Sequence, residues 1–428
     1  MALHLKTVNV RHHKLTAEKE TVIMPYSCNL VIPMLQHIGR PCVPTVKVGD
    51  SVLKGQIIGE ATEFMSAPIH ASTSGKVVSV RDMLCPSGVY TPHIEIAPDK
   101  EDKSIEPLSF KIDSLSDLVD ATRQLGMVGL GGAGFPTSIK LNPKNIDEVD
   151  TLIVNATECE PFITSDYREM LENAEDIKEG IVLLKKLMNI KNAYIGIEDN
   201  KPKAIEIMKK LSGDSFEVKT LKSRYPQGAE KVIIYHLTGR KVLEGQLPAD
   251  VGVVVINVTS LGSLVRGLKT GLPLTHKRVT VSGDCVKEPQ NVYAPIGTPI
   301  DKIIEFCGGV VNEPEKLIMG GPMMGVTMCH GSMPIIKNTN AVLLLSKKLA
   351  DTPEPTACIR CSKCVSACPF NLMPTVFEHA YHDGDLEALE KHKVMLCMEC
   401  GCCSFVCPAK RPLVQTNRLA KAALREKK

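Results

Sequence analysis

Tryptophan is absent from the 428 residues, and all aromatics together make up only 4%. A surface that reads nucleic acid by stacking its bases is therefore not expected. Nor is there a field to attract one, because 51 basic and 48 acidic side chains leave a net charge of +3. No apolar stretch approaches the roughly 18 residues of a membrane-spanning helix, and the best, Val251 to Val258, has the length of a strand. The opening MALHLKTVNVRHHKL has no apolar leader segment, so export is not expected. Hydrophobic residues at 43% and charged residues at 23% are ordinary for a folded chain, whose length suits about three domains of roughly 150 residues.

What the chain has in excess is cysteine, 16 in all. In a reducing compartment disulfides are rare, and clustered thiols point to metal. Cys28, Cys42, Cys85, Cys159, Cys285, Cys307, Cys329 and Cys402 are scattered and read as small hydrophobes. The other eight form two arrays, Cys358-x2-Cys361-x2-Cys364-x3-Cys368-Pro369 and Cys397-x2-Cys400-x2-Cys403-x3-Cys407-Pro408. Three thiolates in one short turn bind three corners of a cubane, and the fourth, carried past by the proline, ligates the other cluster. Cys358, Cys361, Cys364 and Cys407 are thus expected at one [4Fe–4S] centre, and Cys397, Cys400, Cys403 and Cys368 at a second. Structural zinc, the rival for paired Cys-x2-Cys, uses four ligands and fits two adjacent arrays with Cys-Pro endings poorly. Met373 to Val394 has a partial apolar face and predicts a helical connector packed over the clusters. The segment resembles a bacterial two-cluster ferredoxin module. Such a module relays single electrons, so something upstream must supply or accept them.

The densest glycine run is Gly129-Leu130-Gly131-Gly132-Ala133-Gly134-Phe135-Pro136-Thr137. It contains Gly-x-Gly-x-x-Gly, yet Leu115 to Leu125 before it has helical periodicity, so the strand–turn–helix unit of a dinucleotide fold is absent. Pro136 suits a first helical position, which leaves glycine amides free to face an anion; a plain glycine turn is the alternative. Thr151 to Asn155 reads as a buried strand running into Ala156-Thr157-Glu158-Cys159-Glu160-Pro161. Carboxylates at a strand end suit ribose hydroxyls or a nicotinamide amide, and equally a solvated turn. Tyr225-Pro226-Gln227-Gly228-Ala229-Glu230 leads into a helix, and Val253 to Asn257 is a third apolar strand.

Together these pieces resemble the flavin subunit of respiratory complex I. Gly129 to Lys140 is similar to its glycine-rich loop, with Leu130 standing where that family has Arg. Asn155, Glu158 and Glu160 resemble its Asn-Ala-x-Glu-x-Glu-Pro segment, Asn257 and Thr259 its flavin-contacting turn, and Tyr225, Gly228 and Glu230, more loosely, its Gly-Glu-Glu region. The resemblance implies noncovalent FMN held by Gly129, Gly131, Gly132, Gly134, Lys140, Asn155, Tyr225, Gly228, Glu230, Asn257 and Thr259. It implies NADH stacked against Phe135, with Glu158 and Glu160 on nicotinamide and ribose. No side chain is expected as an acid or base, because hydride transfer needs alignment more than proton transfer.

Pro41 to Val80 carries short alternating strands between Gly-Asp and Ser-Gly turns and looks like a biotinyl/lipoyl hammerhead, although Glu60 to His70 lacks the lysine of a swinging arm. Arg278 to Gly309 reads strand, turn, strand, helix and resembles a soluble-ligand-binding β-grasp (SLBB) domain, with Met319 to Gly325 expected to be a packing loop. This order resembles the C subunits of Rnf complexes. The implied architecture is multidomain α/β and α+β: a barrel-sandwich hybrid over 1–110, an FMN- and NADH-binding α/β domain over 111–272, an SLBB β-grasp domain over 273–345, and a helical, ferredoxin-like two-[4Fe–4S] domain over 346–428. The implied role is electron exchange between NAD(H) and ferredoxin through FMN and both clusters. Membrane-embedded and iron–sulfur subunits are the expected partners, on the cytoplasmic face of the membrane. Two other roles share parts of the pattern: a cobalamin-reductase-type flavoprotein and an iron–sulfur relay without a nicotinamide site. The tail from Lys410 has seven basic residues and one acid. It reads as a solvated amphipathic helix, with docking to acidic lipid or a partner subunit as the second possibility.

Overall fold

The computed structural model describes residues 5–86 and 88–427. At its centre is a four-stranded parallel sheet, ordered Glu217–Leu221, Asn192–Glu198, Thr151–Ala156, Val253–Asn257. The central strands are apolar on both faces, so both faces must be covered. Leu152, Val154, Ile195, Ile197, Val254 and Ile256 are buried in a core with helices Ala174–Leu187 and Val258–Thr270. Ile153, Val253 and Val255 meet Ile233 and Ile234 of helix Glu230–Thr238 in a second, smaller core. The strand order reverses between Thr151–Ala156 and Val253–Asn257, where open α/β sheets leave a crevice at the strand ends.

Two small antiparallel sheets form the barrel-sandwich hybrid around Leu30, Ile32, Ile58, Ile69, Ile94 and Ile96, all nearly inaccessible to solvent. The β-grasp sheet has six strands, ordered Thr21–Ile23, Gln290–Pro295, His276–Ser282, Ala341–Leu345, Lys316–Met319, Val326–Met328. Its first strand comes from the amino-terminal segment and pairs in parallel with Gln290–Pro295. Residues 5–23 thus leave the hammerhead and lie along the flavin-type and β-grasp domains. Arg278 of this sheet pairs with Glu169 and Glu172 on helix Ser165–Glu172, which locks it to the flavin-type domain. Removing one partner of so buried a pair strands a charge.

The connector is helical as expected, in two pieces, Pro374–His382 and Leu386–Lys391, because Gly384 takes a φ of 70° and Asp385 caps the second helix through the Ala388 amide. Two local expectations are corrected. Pro136 precedes only one turn, Thr137–Lys140. The tail does form a helix, Leu413–Glu426, but Ala420 and Leu424 pack against the connector helices, and Thr416, Asn417 and Lys421 are buried as well, so it is part of the domain's core. No helix among the described residues is long and apolar enough to cross a membrane.

Ile195→Ala in the central sheet removes a side chain that is fully enclosed. It is expected to cost about 2–5 kcal/mol, read as a lower midpoint of thermal unfolding followed by far-ultraviolet circular dichroism.

Candidate functional site

The crevice is built from two asparagines on adjacent strands. Asn155 and Asn257 are register partners at the carboxyl ends of their strands. Asn257 caps the following helix, accepting from the Ser260 amide at 3.1 Å, and donates to Asp166 at 2.8 Å. Thr259 Oγ1 donates to the other oxygen of Asp166 at 2.6 Å. Asn155 donates to the Gly228 carbonyl at 2.8 Å. A side chain at Gly228 would meet Thr157 Oγ1 at 2.5 Å, and one at Gly131 would meet Asn257 Nδ2 at 2.8 Å. Both glycines let the backbone lie directly against a polar side chain of the crevice.

The glycine loop lies across this crevice without belonging to the sheet. The Gly129 amide donates to Phe135 O at 2.8 Å and the Gly134 amide to Gly129 O at 3.2 Å. Those two amides are spent within the loop, which corrects the expectation that every glycine faces an anion. Residues 131 to 133 are exposed, and their amides meet no protein acceptor among the described residues. Leu130 is buried in the core, its amide donating to Ser260 Oγ at 2.8 Å, so an apolar anchor stands where the resemblance places a cation. Lys140 pairs with Glu230 at 2.7 Å and lies 6.0 Å from the Phe135 ring centroid.

The acidic turn is less open than its sequence suggests. Glu158 has a φ of 50° and Phe162 one of 69°, conformations that side chains rarely adopt. An arm from the amino terminus holds them there. Lys14 Nζ donates to the carbonyls of Glu158 and Glu160 at 2.9 Å and of Ile163 at 2.5 Å, and lies 3.9 Å from Glu158 Oε2. His13 stacks on Phe162 with ring centroids 4.8 Å apart, and the Phe162 amide donates to His12 O at 2.8 Å. Burial raises both carboxyls to about 7, with Lys14 opposing the rise, and the same burial lowers Lys14 to about 8. Glu158 Oε1 accepts from the Asp166 amide at 2.6 Å and Glu160 Oε2 from the Met323 amide at 3.0 Å. Glu158 Oε2 and Glu160 Oε1 remain buried without a hydrogen-bond donor. Each carboxylate therefore keeps one acceptor for a ligand.

Sequence reasoning missed Lys14, Asp166 and Met323. Lys14 lies 144 residues from Glu158, and no local pattern marks an ammonium that will meet three distant carbonyls. Met319 to Gly325, expected to be packing only, covers Glu160: a side chain at Gly321 would collide with that carboxylate.

The thiol arrays cross. Cys358 and Cys407 lie close enough to Cys364 to oppose its ionisation, and Cys397 and Cys400 do the same to Cys368 and Cys403. Cys368, Cys397, Cys400 and Cys403 line one cavity. Cys361 is exposed. Among the described residues no three His, Cys, Asp or Glu side chains are spaced for a single metal ion. The assignment therefore stands on this pairing and on the softness of eight thiolates, which suits iron–sulfur clusters. The tail helix contributes directly: Asn417 Nδ2 donates to Cys397 Sγ at 3.4 Å and Lys421 to Cys397 O at 2.9 Å. The crevice and this cavity adjoin, because the Tyr225 hydroxyl donates to Cys400 O at 2.8 Å. Cys402 is buried with Val8, Val10 and Tyr225 in the apolar contact between them.

The residues present fit a flavin mononucleotide and two clusters. Glycine cradles, free amides and unpartnered buried carboxylate oxygens suit a phosphorylated, hydroxyl-bearing ligand, and the thiols form two groups, Cys358, Cys364 and Cys407 in one and Cys368, Cys397, Cys400 and Cys403 in the other.

Lys14→Met leaves three carbonyls without their shared donor. Amide hydrogen exchange over residues 158–163, followed by mass spectrometry, is expected to quicken by roughly tenfold or more; unchanged exchange would assign the hold to the rest of the arm. Asn417→Ala removes the side-chain donor to Cys397 and should speed loss of iron to a chelator, followed by absorbance, with circular dichroism unchanged.

Four family models match consecutive stretches: the RnfC barrel sandwich hybrid domain over residues 5–101, the Nuo51 FMN-binding domain over 122–266, the SLBB domain over 278–327, and a 4Fe-4S dicluster domain over 354–411. The C subunit of the proton-translocating ferredoxin:NAD(+) oxidoreductase complex of Clostridium ljungdahlii is 43% identical over 415 residues, 96% of this chain and 91% of that one. Its counterpart in the Na(+)-translocating complex of Acetobacterium woodii is 43% identical over 399 residues, 92% and 90% of the two chains. The C subunit of the ion-translocating oxidoreductase complex of Rhodobacter capsulatus is 41% identical over 429 residues, 97% and 82% of the two. Carrying all four modules in order and this identity along nearly its whole length, the chain belongs to the family of C subunits of Rnf-type, ion-translocating ferredoxin:NAD oxidoreductase complexes.

Proposed function

We propose that this chain is the NAD-linked subunit of an ion-translocating ferredoxin:NAD oxidoreductase, exchanging electrons between NAD(H) and partner iron–sulfur and membrane subunits. Electrons travel ultimately to or from ferredoxin. The observation that carries the reading is the hydrogen bond between Tyr225, beside the flavin-type crevice, and Cys400 of the second array. Without such contact, a site for paired electrons and a site for single electrons would be two unrelated modules. FMN, when bound, supplies the exchange between a hydride's electron pair and single electrons, and the clusters carry single electrons onward.

The side chains supply position. Amides of residues 131–133 hold phosphate, and Asn155, Asn257 and Gly228 line the crevice beneath it. Glu158 Oε2 and Glu160 Oε1 accept from ribose or carboxamide, and Phe135 offers a face for stacking. Lys140, neutralised by Glu230, tethers the end of the loop and adds little net charge. Burial under the arm and the Met323 loop excludes water from the carboxylates, which strengthens each hydrogen bond they make. The units are taken to divide near residues 110, 272 and 345. With no spanning helix among the described residues, attachment is peripheral and runs through partner subunits, on the cytoplasmic face.

Anaerobically purified protein should absorb near 450 nm and bleach on addition of NADH; no bound flavin would overturn the reading. Burial pushes Glu158 and Glu160 up to about 7, and protonation turns one oxygen of each into a donor and weakens the other as an acceptor. The KM for NADH is therefore expected to rise as pH falls below about 7, with kcat less affected, in steady-state assays with an artificial acceptor. Glu160→Gln, which cannot become an anion, should raise KM at neutral pH by roughly tenfold; unchanged kinetics would favour a relay without a nicotinamide site.

A further inference from the structure

The turn that follows the matched β-grasp region, Lys337 to Asn340, lies outside the ranges of both the flavin-domain and SLBB models, yet it reaches the glycine loop. Asn338 Nδ2 donates to the carbonyl of Gly132 at 2.6 Å, and Asn340 Nδ2 to that of Gly131 at 3.4 Å. In a planar trans peptide the carbonyl and the following N–H point in opposite directions. Holding the carbonyls of Gly131 and Gly132 on one side therefore turns the amides of Gly132 and Ala133 to the other. These belong to the three exposed amides left without a protein acceptor. Gly132 has a φ of 130°, with open space where a side chain would stand. Successive amides turned outward in this way form an anion-binding concavity.

The turn is itself fixed. Lys337 Nζ is fully buried and donates to Pro68 O and Gly126 O, each at 2.7 Å, tying the hammerhead and the start of the glycine segment to one ammonium. The Ile336 amide donates to Thr339 Oγ1 at 3.0 Å, and the Thr280 amide donates to Asn340 O at 3.0 Å, anchoring the turn in the sheet. On the loop's far side the Ile38 amide donates to Gly134 O at 3.0 Å. Asn338 Oδ1 remains buried and without a partner. An exposed glycine loop between such fixed points has no reason to be held by two side-chain amides unless its orientation matters.

We infer that Asn338 and Asn340 are positioning residues of the flavin site, orienting the amides of Gly132 and Ala133 so that they bind the phosphate of FMN. The role rests on the flavin reading above. It places part of phosphate recognition in the β-grasp unit, so that unit helps assemble the site as well as packing beside it. Asn338 acts through the loop and touches no reacting atom.

The test compares FMN with riboflavin, which lacks only the phosphate. Full-length protein carrying its clusters is stripped of flavin anaerobically and titrated with each, following quenching of flavin fluorescence. Wild-type protein should prefer FMN. In Asn338→Ala the Kd for FMN should rise about tenfold while that for riboflavin changes by about twofold or less, so the preference collapses. Asn340→Ala, whose bond is longer, should act in the same direction more weakly, and Asn338→Asp, which loses the donor and adds a negative charge, more strongly. Equal weakening of both flavins would assign Asn338 a merely structural role, and an unchanged preference would remove any role; either result overturns the inference and leaves the flavin reading standing. A wild-type protein that binds neither flavin would overturn the functional reading itself. Iron content and circular dichroism of each variant establish folding, and if Asn338→Ala does not fold, Asn340→Ala alone decides.

Discussion

A buried ammonium, Lys14, makes the acidic turn possible. Three carbonyls and a carboxylate crowd together after strand Thr151–Ala156, in a backbone bent into left-handed conformations at Glu158 and Phe162. Unpaired, such a set would be too costly to bury. The amino-terminal arm supplies the compensating charge, a stacked His13 and a further backbone hydrogen bond. Because the turn is held, its two carboxylates point inward with one acceptor each to spare, and the loop around Met323 can close over Glu160. The rest of the site is arranged around this point.

The domains are bound together where electrons would cross between them. Tyr225 belongs to the flavin-type domain, Met323 to the β-grasp unit and Cys400 to the second thiol array, and all three meet in one apolar cluster with Val8 of the arm. Packing there excludes water from the second array, while Cys361 of the first is exposed. The environment of the two clusters therefore differs, and solvent exposure is one of the determinants of cluster potential. The tail helix adds to the same difference, since Asn417 and Lys421 both hydrogen-bond Cys397 of the second array. A basic tail that reads as a solvated helix is instead partly a lining.

Much of the site could be recognised from residues alone, but not its enclosure. The crossed thiols, the glycine loop and both asparagine-ended strands were legible because their spacing is local and the chemistry demands it. Glu158 and Glu160 were legible as a pair, yet nothing near them indicated that one would lie beneath Gly321 and both beside Lys14. Leu130 is instructive: as a sequence position it looked like a missing cation, whereas in the fold it is a core residue whose amide is held by Ser260. Gly129 and Gly134 likewise looked available to a ligand and instead close the loop upon itself.

The residue order by itself determined the module sequence, the spacing of the thiol arrays, the parallel strands and the absence of a spanning helix among the described residues, because each follows from spacing or hydrophobic pattern within a few tens of residues. Tertiary structure alone decided which amides stay free, which carboxylate oxygens lack donors and which helix covers which sulfur. Those outcomes depend on contacts such as Lys14 with Ile163 or Asn338 with Gly132, 149 and 206 residues apart in the chain. Burial acts on whatever is adjacent in space, and adjacency over such separations is a property of the folded whole.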